Sequence, residues 1–336
     1  MKRILNKTII LTIGLMLVGG AAFGQIAFSE LEDGVEKFSN GIAEALPQAS
    51  TTGLTWSDAR VRGFPHFGVG LSVGAVMMPE KAFTGLAGDL GVELPSTLVT
   101  DLGVPFPSYA IDGRVGLPFV PFDIGAKLGL LTPGMTESLD GAVDYMLAGF
   151  DVRYPILKGR LLMPAVSVSA GYNYLSGGIN TSVSGTNWES FTADSDNSDL
   201  NDILSELTLS DPNLRFAWKT HSLDFKVQAS KNLLIFTPYA GGAYTYGWSQ
   251  AGGGISADID YGTYSASELK EALDTVGYEA DVSGESFAIL SGVDGGSVRA
   301  FGGFSVNLLV LKLDLNGQYN FTTGSLGGGI NARIQL

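Results

Sequence analysis

The chain has 336 residues, of which 45% are hydrophobic and only 16% charged, and it carries 46 glycines and a net charge of −14. Soluble globules run near ~25% charged residues, so this balance argues against one, and the acidity excludes a generic nucleic-acid binder, which needs a basic face. With no cysteine, disulfides, lipoprotein anchoring and Cys-based metal sites are excluded as well. Residues 1–24 read as a signal peptide. Lys2, Arg3 and Lys7 form a basic head, Ile9 to Val18 an apolar run, and Ala22-Phe23-Gly24 a cleavage site before Gln25. Signal-dependent export is therefore expected.

Residues 25–63 form an N-terminal helical segment. In FSELEDGVEKFSNGIAEAL, Phe28, Leu31, Val35, Phe38, Ile42 and Leu46 fall at three- and four-residue steps, one face of an amphipathic helix. Ser29 and Glu32 fit a capping box, and Pro47 is expected to end the helix. Its role is open between a packing helix and a plug or periplasmic lid.

From Phe67 the period changes from 3.6 to 2. About ten alternating segments follow, at 67–77, 109–119, 122–131, 145–154, 164–174, 215–229, 234–248, 298–308, 311–321 and 326–336. Each is close to the ~9–11 residues that a tilted strand needs to cross a bilayer. After the leader no run of apolar residues is long enough for a transmembrane helix. Short connections at 120–121, 155–160, 230–232 and 309–310 alternate with long ones at 79–108, 132–142, 176–213 and 250–297, plus a short one at 322–325. Lys219 and His221 share a face with Leu223 and Phe225, so the sixth strand either protrudes beyond the membrane or contains a bulge.

Two residue sets follow from this alternation. Tyr109, Tyr145, Tyr172, Tyr174, Trp218, Tyr244, Tyr246, Trp248, Tyr319 and Phe321 lie at long-loop ends and are expected to form an aromatic girdle. Phe119, Phe122, Tyr154 and Phe236 mark the short-turn ends. Asp112, Arg114, Asp123, Lys127, Asp151, Arg153, Asp224, Lys226, Arg299, Lys312, Asp314 and Arg333 are expected to line the lumen, since Lys or Arg facing lipid at mid-membrane costs about 2–4 kcal/mol. They read either as a hydrogen-bonded network filling the barrel or as charge rings selecting a solute. Lumen-side glycines, among them Gly68, Gly70, Gly125 and Gly241, are expected to keep volume open or let strands bend.

The loops at 176–213 and 250–297 are acidic, and LNDILSELTL (200–209) and SELKEALDTV (267–276) carry helical spacing within them. Such loops keep an exposed surface soluble or draw cations toward the mouth. The stretch 194–206 fails as a calcium loop, because Asp199 stands where Gly is needed and Ser205 where Glu is needed. Catalysis finds little support. The only histidines are His66 and His221, and Ser222 and Asp224 should point opposite to His221 on a strand.

Residues 64–336 thus resemble a Gram-negative-type outer-membrane β-barrel, although the last strand ends on Leu336 rather than on an aromatic residue. The opening GLTWSDARVRGFPHFGVGLSVG is similar to that of uncharacterised spirochaete outer-membrane proteins. The resemblance implies a monomeric all-β protein: an about ten-stranded antiparallel transmembrane barrel with short turns and long, partly helical loops. It also implies contact with outer-membrane lipid and the barrel-assembly machinery, with no cofactor. The expected function is a narrow or partly occluded pore for small solutes or cations. The other readings are a structural or surface-interaction barrel without transport and a periplasmic ligand-binding barrel with its apolar faces inside. The omptin proteases are similar in strand number, but they use paired aspartates and an Asp-x-His pair where this chain has Lys219-Thr220-His221.

Overall fold

The computed structural model describes residues 28–79, 103–132, 142–160, 163–182, 202–203, 208–260, 262–275, 279–283 and 286–336. Helix α1 spans Phe28–Ser50, and residues 51–66 form an extended strap leading to the first strand. The strands are β1 (Phe67–Met78), β2 (Val104–Gly116), β3 (Asp123–Leu131), β4 (Ala142–Lys158), β5 (Ala165–Ser182), β6 (Thr208–Ser230) and β7 (Phe236–Asp260). After helix α2 (Ala266–Thr275) come β8 (Glu279–Ser283), β9 (Ser286–Leu308), β10 (Leu311–Asn320) and β11 (Leu326–Gln335).

Each strand pairs antiparallel with its sequence neighbour, except that β7 pairs with β9, and β11 returns to β1. The β9–β10 and β10–β11 pairings complete the ring, a closed ten-stranded antiparallel barrel. The short β8 stands outside it as a hairpin on the far end of β9. Closure leaves none of the ten barrel strands as an edge.

The period-2 pattern sets which face points out. On β10 Leu311, Leu313 and Leu315 face outward, while Lys312 and Asp314 are buried inside. The same rule holds on β1, where Val69, Leu71 and Val73 face outward and Ser72 inward. A one-residue slip would exchange the two faces, so the register is strongly specified. On these strands the facing is the reverse of that expected of a periplasmic barrel with its apolar faces inside.

Two expectations need correction, and an open one is narrowed. The strands run further toward the long-loop end than the apolar segments do: β5 reaches Ser182, β6 begins at Thr208, β7 reaches Asp260 and β9 begins at Ser286. Much of what reads as acidic loop is therefore paired strand. The sixth strand does not bulge at Lys219 and His221, since its pairing with β5 is continuous from Asn213 to Ser230; the irregularity with β7 lies at Ser210/Asn213. Finally, α1 passes through Pro47 and ends at Ser50. The Ser50 and Thr51 hydroxyls donate to the Pro47 and Gln48 carbonyls (both 2.7 Å), which satisfies acceptors that the helix end would leave open.

Helix α2 forms where spacing predicted it. The Ser265 backbone N–H donates to Glu268 Oε2 (2.8 Å) and the Glu268 N–H to Ser265 Oγ (3.3 Å), a capping box, and Lys270 pairs with Asp274 one turn on (3.0 Å). The signal peptide, the Ser29 and Glu32 side chains and most of the 194–206 stretch lie outside the described residues.

Candidate functional site

The barrel is filled by the protein's own N-terminal segment. Helix α1 packs mainly against β7, β9 and β6, and its direction follows from three contacts. Asn40 accepts from Ser291 on the outer part of β9 (2.6 Å), whereas Pro47 lies against Gly247 and Ser50 meets Ser222 (2.8 Å), a register pair about four residues nearer the short-turn end. The helix therefore descends from the long-loop end, and the strap continues down to the short-turn end.

The lumen has two storeys. In the outer one, Ile42, Ala43, Leu46 and Ala49 of the helix pack on Val76, Leu147, Leu175 and Phe216 of the wall. Small helical residues allow close approach, and Gly247 leaves room for Pro47: a Cβ at 247 would come within 2.3 Å of the proline ring. This storey is an apolar core.

The lower storey is charged, and here the strap threads the twelve predicted lumen residues, all of which are buried. Trp56, 1% exposed, is its centre. Its indole N–H donates to Asp112 (2.6 Å), and the Arg114 and Arg333 guanidinium groups lie 5.7 Å and 4.7 Å from the ring centroid. Gly68 makes way for the indole, since a Cβ there would sit 2.8 Å from it. The Ser57 N–H and hydroxyl both donate to Asp314 (3.1 and 3.0 Å), which also pairs with Arg333. Asp58 faces Lys312 at 3.8 Å, and its carbonyl accepts from Arg153 (2.6 Å). Arg114 donates to the Leu54 carbonyl (3.2 Å), and Lys127 donates to the carbonyls of Ser50 (2.6 Å) and Thr52 (2.8 Å).

Seven of the twelve residues thus hold the strap. The other five, Asp123, Asp151, Asp224, Lys226 and Arg299, pair along the wall. Arg114 bridges Asp123 (2.6 Å) and Asp151 (2.8 Å), and Arg153 also reaches Asp123 (2.6 Å). Lys226 lies 3.6 Å from both Asp151 and Asp224, and Arg299 pairs with Asp224 (2.8 Å). Seven cations face five wall carboxylates, and the strap supplies Asp58 and its backbone carbonyls to make up the balance. Beside the strap, against β1, β10 and β11, a polar cavity of about 30 Å³ is lined by Thr51, Thr52, Ser72, Asn316, Gln318 and Asn331 among others. It has room for a water molecule and little more.

The aromatic set divides. Tyr172, Tyr174, Tyr244, Tyr246, Trp248, Tyr319 and Phe321 lie on the outer face toward the long loops. Tyr109 has outward parity but is half-buried: its ring stacks on Tyr145 (centroids 5.2 Å) and its hydroxyl donates to the Leu130 carbonyl (2.5 Å). Tyr145 and Trp218 are not girdle residues. Both are buried in the outer storey, Trp218 edge-on to Phe106 with centroids 5.2 Å apart. Parity explains it: Tyr145 is an even number of residues from Asp151, and Trp218 from Asp224, so each pair shares the inner face. His221 lies outside between Tyr172 and Tyr174, while Ser222 and Asp224 face inward, bound to Ser50 and Arg299. His66 is fixed at the short-turn end, contacting the Leu336 carbonyl and Gln335.

The residues that sequence reasoning missed are Leu54, Trp56, Ser57 and Asp58. Their one signal was a tryptophan among polar residues in a stretch without periodicity.

No protein-family model and no curated protein sequence matches this chain. Among solved structures it is similar to the translocator domain of the autotransporter NalP from Neisseria meningitidis, at 9% identity and TM-score 0.38, over 89% of this chain and 99% of that one. It is also similar to the outer membrane protease OmpT from Escherichia coli, at 9% identity and TM-score 0.35, over 81% and 95%. A third is the toluene transporter TbuX of Ralstonia pickettii, at 9% identity and TM-score 0.26, over 94% and 98%. At this level of likeness none of them adds to what the chain's own geometry establishes.

Proposed function

We propose that this is an exported, monomeric outer-membrane barrel whose lumen is closed at rest by its own N-terminal segment, and which passes small polar solutes when that segment shifts. The membrane reading is supported by the outward leucines and valines around the ring and by aromatic residues at both ends of that band, the arrangement that two lipid–water interfaces favour. The observation that carries the passage reading is the strap. It is held by hydrogen bonds and ion pairs that water can replace, and a polar cavity lies beside it. A barrel serving only as a scaffold could fill its interior with wall side chains, as eight-stranded barrels do.

The test uses the absence of native cysteine. Ser50 and Ser222 approach hydroxyl to hydroxyl at 2.8 Å, so S50C/S222C should form a disulfide that pins the plug. In planar bilayers the wild-type chain and the reduced variant should show brief, small conductance steps, and the oxidised variant none. Equal conductance in the oxidised and reduced forms would show that plug movement is not required. Silence in all forms, with every small solute tried, would favour the structural or surface-interaction reading.

A further inference from the structure

The short-turn end of the barrel carries a combination that solute passage does not use. Phe119, Leu234 and Leu309 stand at the tips of three turns with φ of 67°, 59° and 56°, a left-handed backbone that Gly or Asn adopts with less strain. Leu234 and Leu309 are 91% and 98% exposed, and Phe119 is fully so. Phe64, Met163 and Ile235 extend the apolar rim. Its charge is opposite to that of the chain. Segments 116–122, 156–164, 230–236 and 308–311 hold Lys158, Arg160 and Lys231 without one Asp or Glu, in a protein of net charge −14, while Arg62 of the strap beside them pairs with Asp58 at 3.9 Å. Lys158 and Arg160 are exposed. Lys231 donates to the carbonyls of Arg160 (3.0 Å) and Met163 (3.3 Å), tying two turns together.

We propose that this rim is a docking face for the phospholipid leaflet it borders. The apolar tips enter the boundary between headgroups and acyl chains, and the basic side chains take headgroup phosphates. Exposed apolar tips ringed by basic groups are what an anionic lipid interface binds. Two features select lipid over a protein partner or a second copy. The rim is continuous with the apolar outer band through the ring pairs Phe122–Tyr154 and Phe236–Phe304, with centroids 5.1 and 5.2 Å apart. The tips also belong to the β2–β3, β6–β7 and β9–β10 turns, so they are distributed around the circumference rather than gathered in one patch.

The inference rests on the membrane reading above, and its test separates the two. Single-cysteine variants F119C, L234C and L309C of the full chain, with L313C as the strand-face control and K270C as the aqueous control, would carry a nitroxide label. They would be reconstituted in phosphatidylethanolamine–phosphatidylglycerol vesicles, and access of oxygen and of a water-soluble nickel relaxant would be measured. The tips should be shielded from nickel as Leu313 is. Tips as accessible as Lys270, with Leu313 shielded, overturn the rim proposal alone; a water-exposed Leu313 overturns the membrane reading with it. Shielding that appears only at high protein density, with spin–spin broadening, means contact between copies and also overturns the proposal. With spin-labelled lipids, K158Q and R160Q should each lower the preference for phosphatidylglycerol about fivefold, and an unchanged preference would overturn the phosphate contact.

Discussion

Asp314 is where wall and strap are most tightly joined. It takes the Arg333 guanidinium and both donors of Ser57 in a site without solvent access. Removing one member of a buried pair strands the other charge, which costs about 3–5 kcal/mol. Asp314→Ala should therefore lower the urea midpoint of the reconstituted barrel, followed by the loss of compact migration on unheated gels. The double change Asp314→Leu/Arg333→Met should recover most of that loss, because an apolar pair of similar volume leaves no charge stranded. It should not recover all of it, since Ser57 still lacks its acceptor. Full recovery would mean that Asp314 serves the wall and not the strap. Conductance distinguishes the roles again, as a strap freed at Ser57 should open more often even where the wall is repaired.

Helix α1 and the strands show what in this fold is legible from sequence. Alternation identifies the strands and their inner and outer faces, since burying Lys312 or exposing Leu313 has only one low-energy solution. Tyr145 and Trp218 were misplaced by reading their position along a strand while ignoring the parity they share with Asp151 and Asp224. The strap was illegible for a different reason. Much of its hold on the wall runs through backbone carbonyls of Ser50, Thr52, Leu54, Trp56 and Asp58, which leave no mark on residue type. The helix left a fainter mark, in the wall glycine that receives its proline. Gly247→Val should drive a side chain into Pro47 and cost about 1–3 kcal/mol. Pairing it with Pro47→Ala should relieve that cost, measured again by the urea midpoint. No relief would place the strain of Gly247→Val within β7 itself rather than at the helix.

Taken together, plug and wall are a filled cylinder whose two halves are held by different forces, so removing the filling should have separable effects. A variant lacking residues 28–63 keeps the inter-strand ladders of the barrel, because among the described residues no strand pairs with the plug. In the lower storey water would enter and replace the strap's hydrogen bonds. The net loss there is modest, since an exchanged hydrogen bond is worth about 0.5–1.5 kcal/mol. In the outer storey Leu147, Leu175, Phe216 and Trp218 would lose their apolar partner and meet water, at about 25 cal/mol per Å² uncovered. The barrel should therefore still form and still migrate compactly on unheated gels, but unfold at lower urea, with most of the loss coming from the helix. Removing 51–63 alone, with α1 joined through a flexible linker, should cost less stability than removing 28–50 alone. The full deletion should replace brief openings with sustained conductance, because both storeys are then empty; the same from the strap deletion alone would mean that the helix no longer seals the outer one. Sustained conductance with only a small loss of stability would mark the strap as a gate. A large loss of stability with the bilayer still silent would mean that the wall closes on itself, and that the N-terminal segment is a pillar and not a plug.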